Sequence, residues 1–307
     1  MDVKIDLMQK NGFVTIKLAR ELMTMQCGDR MATIEEYSKS YKTGRGTVQN
    51  ALKRLEQYKA IELEARGHLG TYIVSINYKM LWQFTGLGMI MGVMPLPYTK
   101  LYEGLATGLF NVLNEKDIPF SLAYMRGARS RLAALDSKRY DFAVVSALAA
   151  DVAIEEEMQI DKCISFGKFT YVNKHGLIFG AHEKTAIEDG MKVGVDRSSI
   201  DQYLLTLQEC KNKNVELVDL AYNQIFAKLK SGEIDVAVWN KDELTEKKLS
   251  AECCPLQWND GVRDTEAVIV INRSNFGLKN LFASFISRDK VLNYQHDVVA
   301  GKIIPNF

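Results

Sequence analysis

Apolar residues recur at helical spacing over 13–25, where Ile16, Ala19, Leu22 and Met23 share one face. Gly28, Asp29 and Arg30 interrupt that pattern. Thr33 followed by Glu36 has the form of a capping box, in which hydroxyl and carboxylate satisfy backbone N–H groups that a helix start leaves unpaired. The helix it opens is expected to run to about Tyr41, followed by a turn at Lys42, Thr43 and Gly44. A third helix is expected over 45–56, with Val48, Ala51, Leu52 and Leu55 as its apolar stripe. Residues 61–74 read as strand, glycine-bounded turn and strand, with 66–70 at the tip.

From about residue 81 short apolar runs alternate with amphipathic stretches. Strands are expected over 87–96, 120–125 and 141–146, with helices over 100–114 and 128–137 between them. That order implies a parallel sheet. A less regular stretch carries strands near 163–169 and 176–180. Alternation then resumes with strand 192–195, helix 200–210, strand 216–220, helix 223–230 and strand 235–239. A strand over 266–272 and one helix over 278–300 close the chain. Residues 131–145 and 224–238 repeat one phrase: a helix, a turn, and an aspartate (Asp141, Asp235) that starts a buried apolar strand. The expected fold class is α/β, with a small helical head over 1–78 and a two-lobed α/β domain over 79–307. Its second lobe is expected at roughly 170–260, and a short linker near 75–80 joins head to lobes.

Charge sharpens this division. The whole chain carries net +1, but residues 1–78 carry net +3 and the rest net −2. Residues 39–55 contain Lys39, Lys42, Arg45, Lys53 and Arg54 and no acid. Residues 80–99 are an uncharged run of 20, but Gly86, Gly88, Gly92, Pro95 and Pro97 break it, so a buried strand entered through a turn is the better reading than a membrane span. Asp2, Lys4 and Asp6 interrupt any apolar leader, and the five cysteines lack paired spacing, which fits a reduced protein of the cytoplasm. No catalytic constellation assembles. His68, His175, His182 and His296 are scattered without metal-ligand spacing, and Gly86-x-Gly88 does not complete a dinucleotide fingerprint. No metal, no cofactor and no enzymatic activity are expected.

Two short helices across a glycine-containing turn follow the helix-turn-helix plan, and the paired strands after them add a wing. The second helix would enter the major groove with its N-terminal residues toward base edges. Arg45 can bond guanine bidentately, and Gln49 and Asn50 can do the same to adenine. Lys42 and Lys53 would neutralise phosphate. The candidate DNA surface is therefore Thr33, Lys42, Thr43, Arg45, Gly46, Thr47, Gln49, Asn50 and Lys53, joined by Arg66, Gly67, His68 and Thr71 of the wing. Here the residues carry a resemblance. The run from Gly44 to Leu52, with Arg45, Thr47, Val48, Ala51 and Leu52, and the wing Gly67…Gly70-Thr71-Tyr72-Ile73 resemble the winged helix-turn-helix head of GntR-family regulators. Two departures stand out. Gln49 replaces an arginine of the family's recognition helix, and Glu35 and Glu36 stand in helix 2 where an arginine is usual. The resemblance implies an altered operator and weaker phosphate contact.

Two α/β lobes in series, with the last segment returning to the first, resemble the type II periplasmic-binding-protein fold. Such lobes close around a small molecule. Ligands in open α/β sheets sit at the carboxyl ends of strands. That rule selects Tyr98, Thr99, Arg126, Gly127, Ser146, Ala147, Asp196, Ser198, Ser199, Tyr222 and Asn240. Arg126 and Gly127, with Ser198 and Ser199 at a helix start, would suit a carboxylate or phosphate. The whole arrangement resembles YhfZ-type regulators within the GntR grouping. It implies a homodimeric transcription regulator that binds double-stranded DNA under control of a small-molecule effector, with no membrane partner. Two alternatives stay open: a binding or interaction protein whose head no longer reads DNA, and an enzyme that kept such a head.

Overall fold

The computed structural model describes residues 10–180, 184–249, 252–257 and 262–307. They divide into two compact units, one drawn from 10–90, 111–120 and 276–286, the other from the described residues of 91–110, 121–275 and 287–307.

The first unit opens with the helix Lys10–Leu22, whose buried face is Val14, Leu18, Ala19 and Leu22. Ile16, expected on that face, is half-buried and lies where a side chain on Gly86 would touch it. The helix Ile34–Ser40 starts as its sequence requires. Glu36 N–H donates to Thr33 Oγ at 3.2 Å, and Thr33 N–H donates to the Glu36 carboxylate at 2.7 Å. Lys42 takes a left-handed φ of 52° in the turn, and the helix Arg45–Gln57 buries Val48, Ala51, Leu52 and Leu55. Strands β1 (Ile61–Ala65) and β2 (Thr71–Ile76) pair antiparallel, and Arg30 bridges to Tyr72 beside them. Gly70 has φ 100°, and a Cβ there would lie 2.7 Å from Arg30 Nε, so this turn requires glycine.

The stretch expected as a linker is ordered instead. Strand β2 runs to Ile76, and Asn77 caps a helix, Tyr78–Phe84, by accepting the Met80 N–H at 3.0 Å. Arg20 Nε donates to Thr85 O at 2.8 Å, and the Tyr78 and Phe285 rings meet edge to face at 6.1 Å. The uncharged run therefore splits between that helix and a strand shorter than expected, β3 (Ile90–Met94).

The second unit is built on two five-stranded sheets. One has the order β4 (Phe120–Tyr124), β3, β5 (Phe142–Ser146), β12 (Ala267–Asn272), β6 (Ile160–Gly167). The other has the order β11 (Cys253–Pro255), β7 (His175–Phe179), β10 (Val236–Asn240), β8 (Lys192–Val195), β9 (Glu216–Asp219). Neither is purely parallel: β12 runs antiparallel to β5 and β6, and β7 antiparallel to β10 and β11. The returning segment is β12, which fills the gap between β5 and β6.

The repeated phrase has a shared structural purpose. Asp141 exchanges two hydrogen bonds with Met91: its carboxylate accepts the Met91 N–H at 2.8 Å, and its own N–H donates to Met91 O at 2.7 Å. Asp235 does the same with Lys192, at 2.7 and 2.8 Å. Each aspartate thus pins the start of an apolar strand to the start of its parallel neighbour. The strand ends also correspond. Ser146 ends β5 and caps the helix Ala147–Glu155, and Asn240 ends β10 and caps the helix Lys241–Glu246. Neither helix is expected from the sequence, because no turn residue separates it from its strand. The C-terminal helix is two helices, Phe276–Phe285 and Arg288–Val299, since Ser287 leaves the helical path and caps the second.

Candidate functional site

In the head, the recognition-helix candidates Arg45, Gly46, Gln49, Asn50 and Lys53 are exposed, as are Thr33, Lys42, Arg66, Gly67 and His68. Thr43, Thr47 and Thr71 are half-buried. Lys42, Thr43 and Thr47 line a shallow groove with Ser38, Lys39 and Gly44. Three candidates are already engaged within the head. Thr33 is used by the capping box. Arg45 pairs with Glu35 at 2.8 Å, and Arg66 with Glu64 at 2.5 Å, its guanidinium 4.6 Å from the Tyr72 ring centre. Lys39 bonds Glu35 as well, and the two cations hold its carboxyl below the usual range. Glu35, one of the departures from the GntR pattern, therefore draws Arg45 toward its own helix. Such exposed pairs are weak and exchange readily with phosphate or base partners.

In the second unit an open cavity of about 640 Å³, counted with its solvent-facing mouth, lies between the two sheets. Seven of the sequence candidates line it: Tyr98, Arg126, Gly127, Asp196, Ser199, Tyr222 and Asn240. Four do not. Thr99 and Ala147 are buried in the helix starts. Ser146 is buried, with its hydroxyl donating to Asp201 at 2.6 Å. Ser198 turns its N–H and hydroxyl to Asp196, at 2.9 and 2.6 Å. The other Asp196 oxygen accepts the Tyr222 N–H at 2.9 Å, so this carboxylate clasps the two loops that border the cavity. Tyr222 stacks on Trp239 with ring centres 4.2 Å apart, and its hydroxyl donates to Glu243 at 3.0 Å. Arg126 donates to Asn223 at 3.3 Å.

Helices and strands add Tyr102, Arg131, His175, Asp201, Gln202 and Glu243 to the lining, and Tyr171 joins them from the segment between β6 and β7. A rule that looks only at strand ends passes over them. Arg131 did leave a signal, because Ala128, Arg131, Leu132 and Leu135 are spaced as one buried helix face, with a cation among apolar residues.

Burial and neighbouring charges shift two carboxyls and one histidine in and beside the cavity. Burial pushes the Asp201 carboxyl up to about 6, opposed by the Ser146 hydroxyl and by the charges of His175 and Arg131. Burial disfavours the charged form of His175, but the hydrogen bond to Asp264 at 2.7 Å and that group's charge outweigh it, so His175 is raised. Burial works against the Asp264 carboxylate, yet its bond to His175 keeps it lowered. For Asp201 the sign is direct. Between the ordinary carboxylate value and about 6, the folded chain keeps a proton that the unfolded chain releases, so stability falls as pH rises through this window. Asp201→Asn, which keeps the oxygen facing Ser146, is expected to gain stability relative to wild type as pH goes from about 4 to about 7. Urea melts at both pH values check this; a constant difference between the two proteins would show that the Asp201 carboxyl titrates normally.

His182 lies outside the described residues. Among the described residues no group of three or more His, Cys, Asp or Glu side chains could hold a metal, and no helix is long and apolar enough to cross a membrane.

Comparison with known proteins places both parts of the chain. A helix-turn-helix domain family matches residues 26–73, and the YhfZ C-terminal domain family matches residues 77–307. Protein YhfZ of Escherichia coli (strain K12) is 35% identical over 303 residues, covering 97% of this chain and 98% of that protein. The crystal structure of YhfZ from Shigella flexneri superposes with a TM-score of 0.64 at 33% identity, over 75% of this chain and 98% of that one. An amino acid ABC transporter substrate-binding protein of Streptococcus pneumoniae superposes with a TM-score of 0.52 at 18% identity, over 70% of this chain and 94% of that one. The last likeness is one of fold, the periplasmic-binding-protein type. A helix-turn-helix domain thus precedes a domain of that type, and the chain belongs to the YhfZ family.

Proposed function

We propose that this protein is a transcription regulator of the cytoplasm whose affinity for an operator is set by a small-molecule effector held in the cavity between the two sheets. It catalyses no reaction in this reading. The observation that carries it is the pairing, in one chain, of an exposed recognition helix with a cavity lined by polar side chains from both sheets. The head is taken as residues 1–78 and the effector domain as 79–307. The head follows the GntR pattern at Thr47, Val48, Ala51 and Leu52. A homodimer would present two recognition helices to half-sites about one helical turn apart. Effector and operator are then linked reciprocally, each changing the affinity for the other by the same factor.

Selection of genomic fragments by the purified full-length protein at two salt concentrations tests the reading. Discrete fragments sharing a two-fold repeat support it. Weak binding that collapses with salt for all fragments alike overturns sequence reading and leaves a binding protein with an inactive head. Arg45→Ala is expected to weaken operator binding by about 1–3 kcal/mol, the worth of one bidentate base contact. Electrophoretic mobility shift on the selected fragment checks it, and unchanged affinity would remove Arg45 from base readout.

A further inference from the structure

Arg131 is a buried cation without a matching anion. It is 3% exposed and lines the cavity. Its Nε donates to Val144 O at 3.1 Å, one terminal nitrogen to Met125 O at 2.8 Å, and the other to the Tyr171 hydroxyl at 2.9 Å. All three acceptors are uncharged. No carboxylate among the described residues forms an ion pair with Arg131, and two of its five N–H groups have no partner there. Taking a guanidinium out of water costs several kcal/mol unless an anion compensates it. The three bonds also fix the orientation of the plane, so the remaining donors are held ready for a planar anion.

The acids of the cavity divide in the same way. Asp196 is satisfied by Ser198 and Tyr222, and Glu243 by Tyr222 and by Lys247 at 2.6 Å. Asp201 is different. One of its oxygens accepts from Ser146, and the other has no hydrogen-bond partner among the described residues. Asp201 and Arg131 both line the cavity but form no ion pair with each other. The cavity therefore holds one cation lacking an anion and one acid with an open oxygen.

We infer that the effector is a small zwitterion of the α-amino acid class, whose carboxylate is bound by Arg131 and whose ammonium is bound by Asp201. This rests on the reading of the cavity as an effector site. A dianion such as phosphate would satisfy Arg131 but place a second negative charge among Asp196, Asp201 and Glu243. A ligand with both charges completes each group and leaves the cavity's net charge unchanged. The rings of Tyr98, Tyr102, Tyr171 and Tyr222 then cover the rest of the molecule, where π faces accept either an apolar side chain or an ammonium.

The test uses the full-length protein with the common L-α-amino acids, their des-amino carboxylates, their decarboxylated amines and inorganic phosphate. Thermal shift screens the panel and isothermal titration calorimetry measures each hit. At least one amino acid is expected to bind, and each of its two truncated analogues to bind roughly tenfold to a hundredfold more weakly. Arg131→Met is expected to abolish binding. Because Arg131 also ties Met125 and Val144, Asp201→Asn is the second variant. It keeps the oxygen facing Ser146 and is expected to weaken the amino acid by the same roughly tenfold to hundredfold while leaving the des-amino carboxylate unchanged. A des-amino carboxylate or phosphate that binds as tightly as any amino acid overturns the zwitterion and leaves the effector cavity standing. A panel in which nothing binds overturns both.

Discussion

Gly127→Ala is expected to lose about 1–3 kcal/mol of stability and with it the present arrangement of the cavity between the two sheets. Two independent costs meet at this position. Its backbone has φ 76°, where a β-carbon is strained. A Cβ there would also lie 2.6 Å from Ser198 Oγ and 2.8 Å from both Ser198 Cβ and its carbonyl oxygen. A side-chain hydroxyl could rotate away, but the carbonyl cannot, because it accepts the Arg129 N–H at 3.1 Å. Residue 127 belongs to the lobe of the first sheet and residue 198 to that of the second, so the added carbon pushes apart the two walls of the cavity. Urea denaturation measures the first cost and effector titration the second. A variant that keeps both the wild-type midpoint and the wild-type affinity would show that Gly127 and Ser198 do not touch in solution.

The largest loss of stability is expected from Phe142→Ala, at about 3–5 kcal/mol. Phe142 is 0% exposed and begins β5, in the middle of the first sheet. Its ring lies directly over Gly92 of the neighbouring strand, filling the space that a side chain there would occupy. Truncation opens a cavity whose floor is a bare glycine, which has no side chain to fill it. Urea unfolding followed by far-ultraviolet circular dichroism reads the result, and a midpoint within error of wild type would mean that the sheet closes over the gap.

What could be read in advance follows from how local each signal is. Thr33 and Glu36 act on each other across three residues, and the helix Lys100–Asn114 carries its own periodicity, so both were legible. Asp141 and Asp235 showed through their repetition, although their partners, Met91 and Lys192, lie 50 and 43 residues away. The helices after Ser146 and Asn240 were hidden because a cap placed on the last residue of a strand leaves no punctuation between the two elements. Asp196 directly follows β8, and Tyr222 opens the helix just after β9, so the strand-end rule selects both. Arg131 and Asp201 do not, and their importance depends on which partners the fold withholds from them. A missing counter-charge is a property of three-dimensional surroundings, and no spacing in the chain encodes it directly.

The insertion of β12 between β5 and β6 also sets an order of events during synthesis. The second lobe is continuous, its strands running from His175 to Pro255, so it can close as soon as it clears the ribosome. The first sheet has only β3 to β6 at that moment, and the neighbour of both β5 and β6 has not yet emerged. The lobe begun first is therefore completed last, by strand pairings of greater sequence separation than any other in the two sheets, which close slowly. Until residues 267–272 arrive, two apolar strand edges stay open to any other chain.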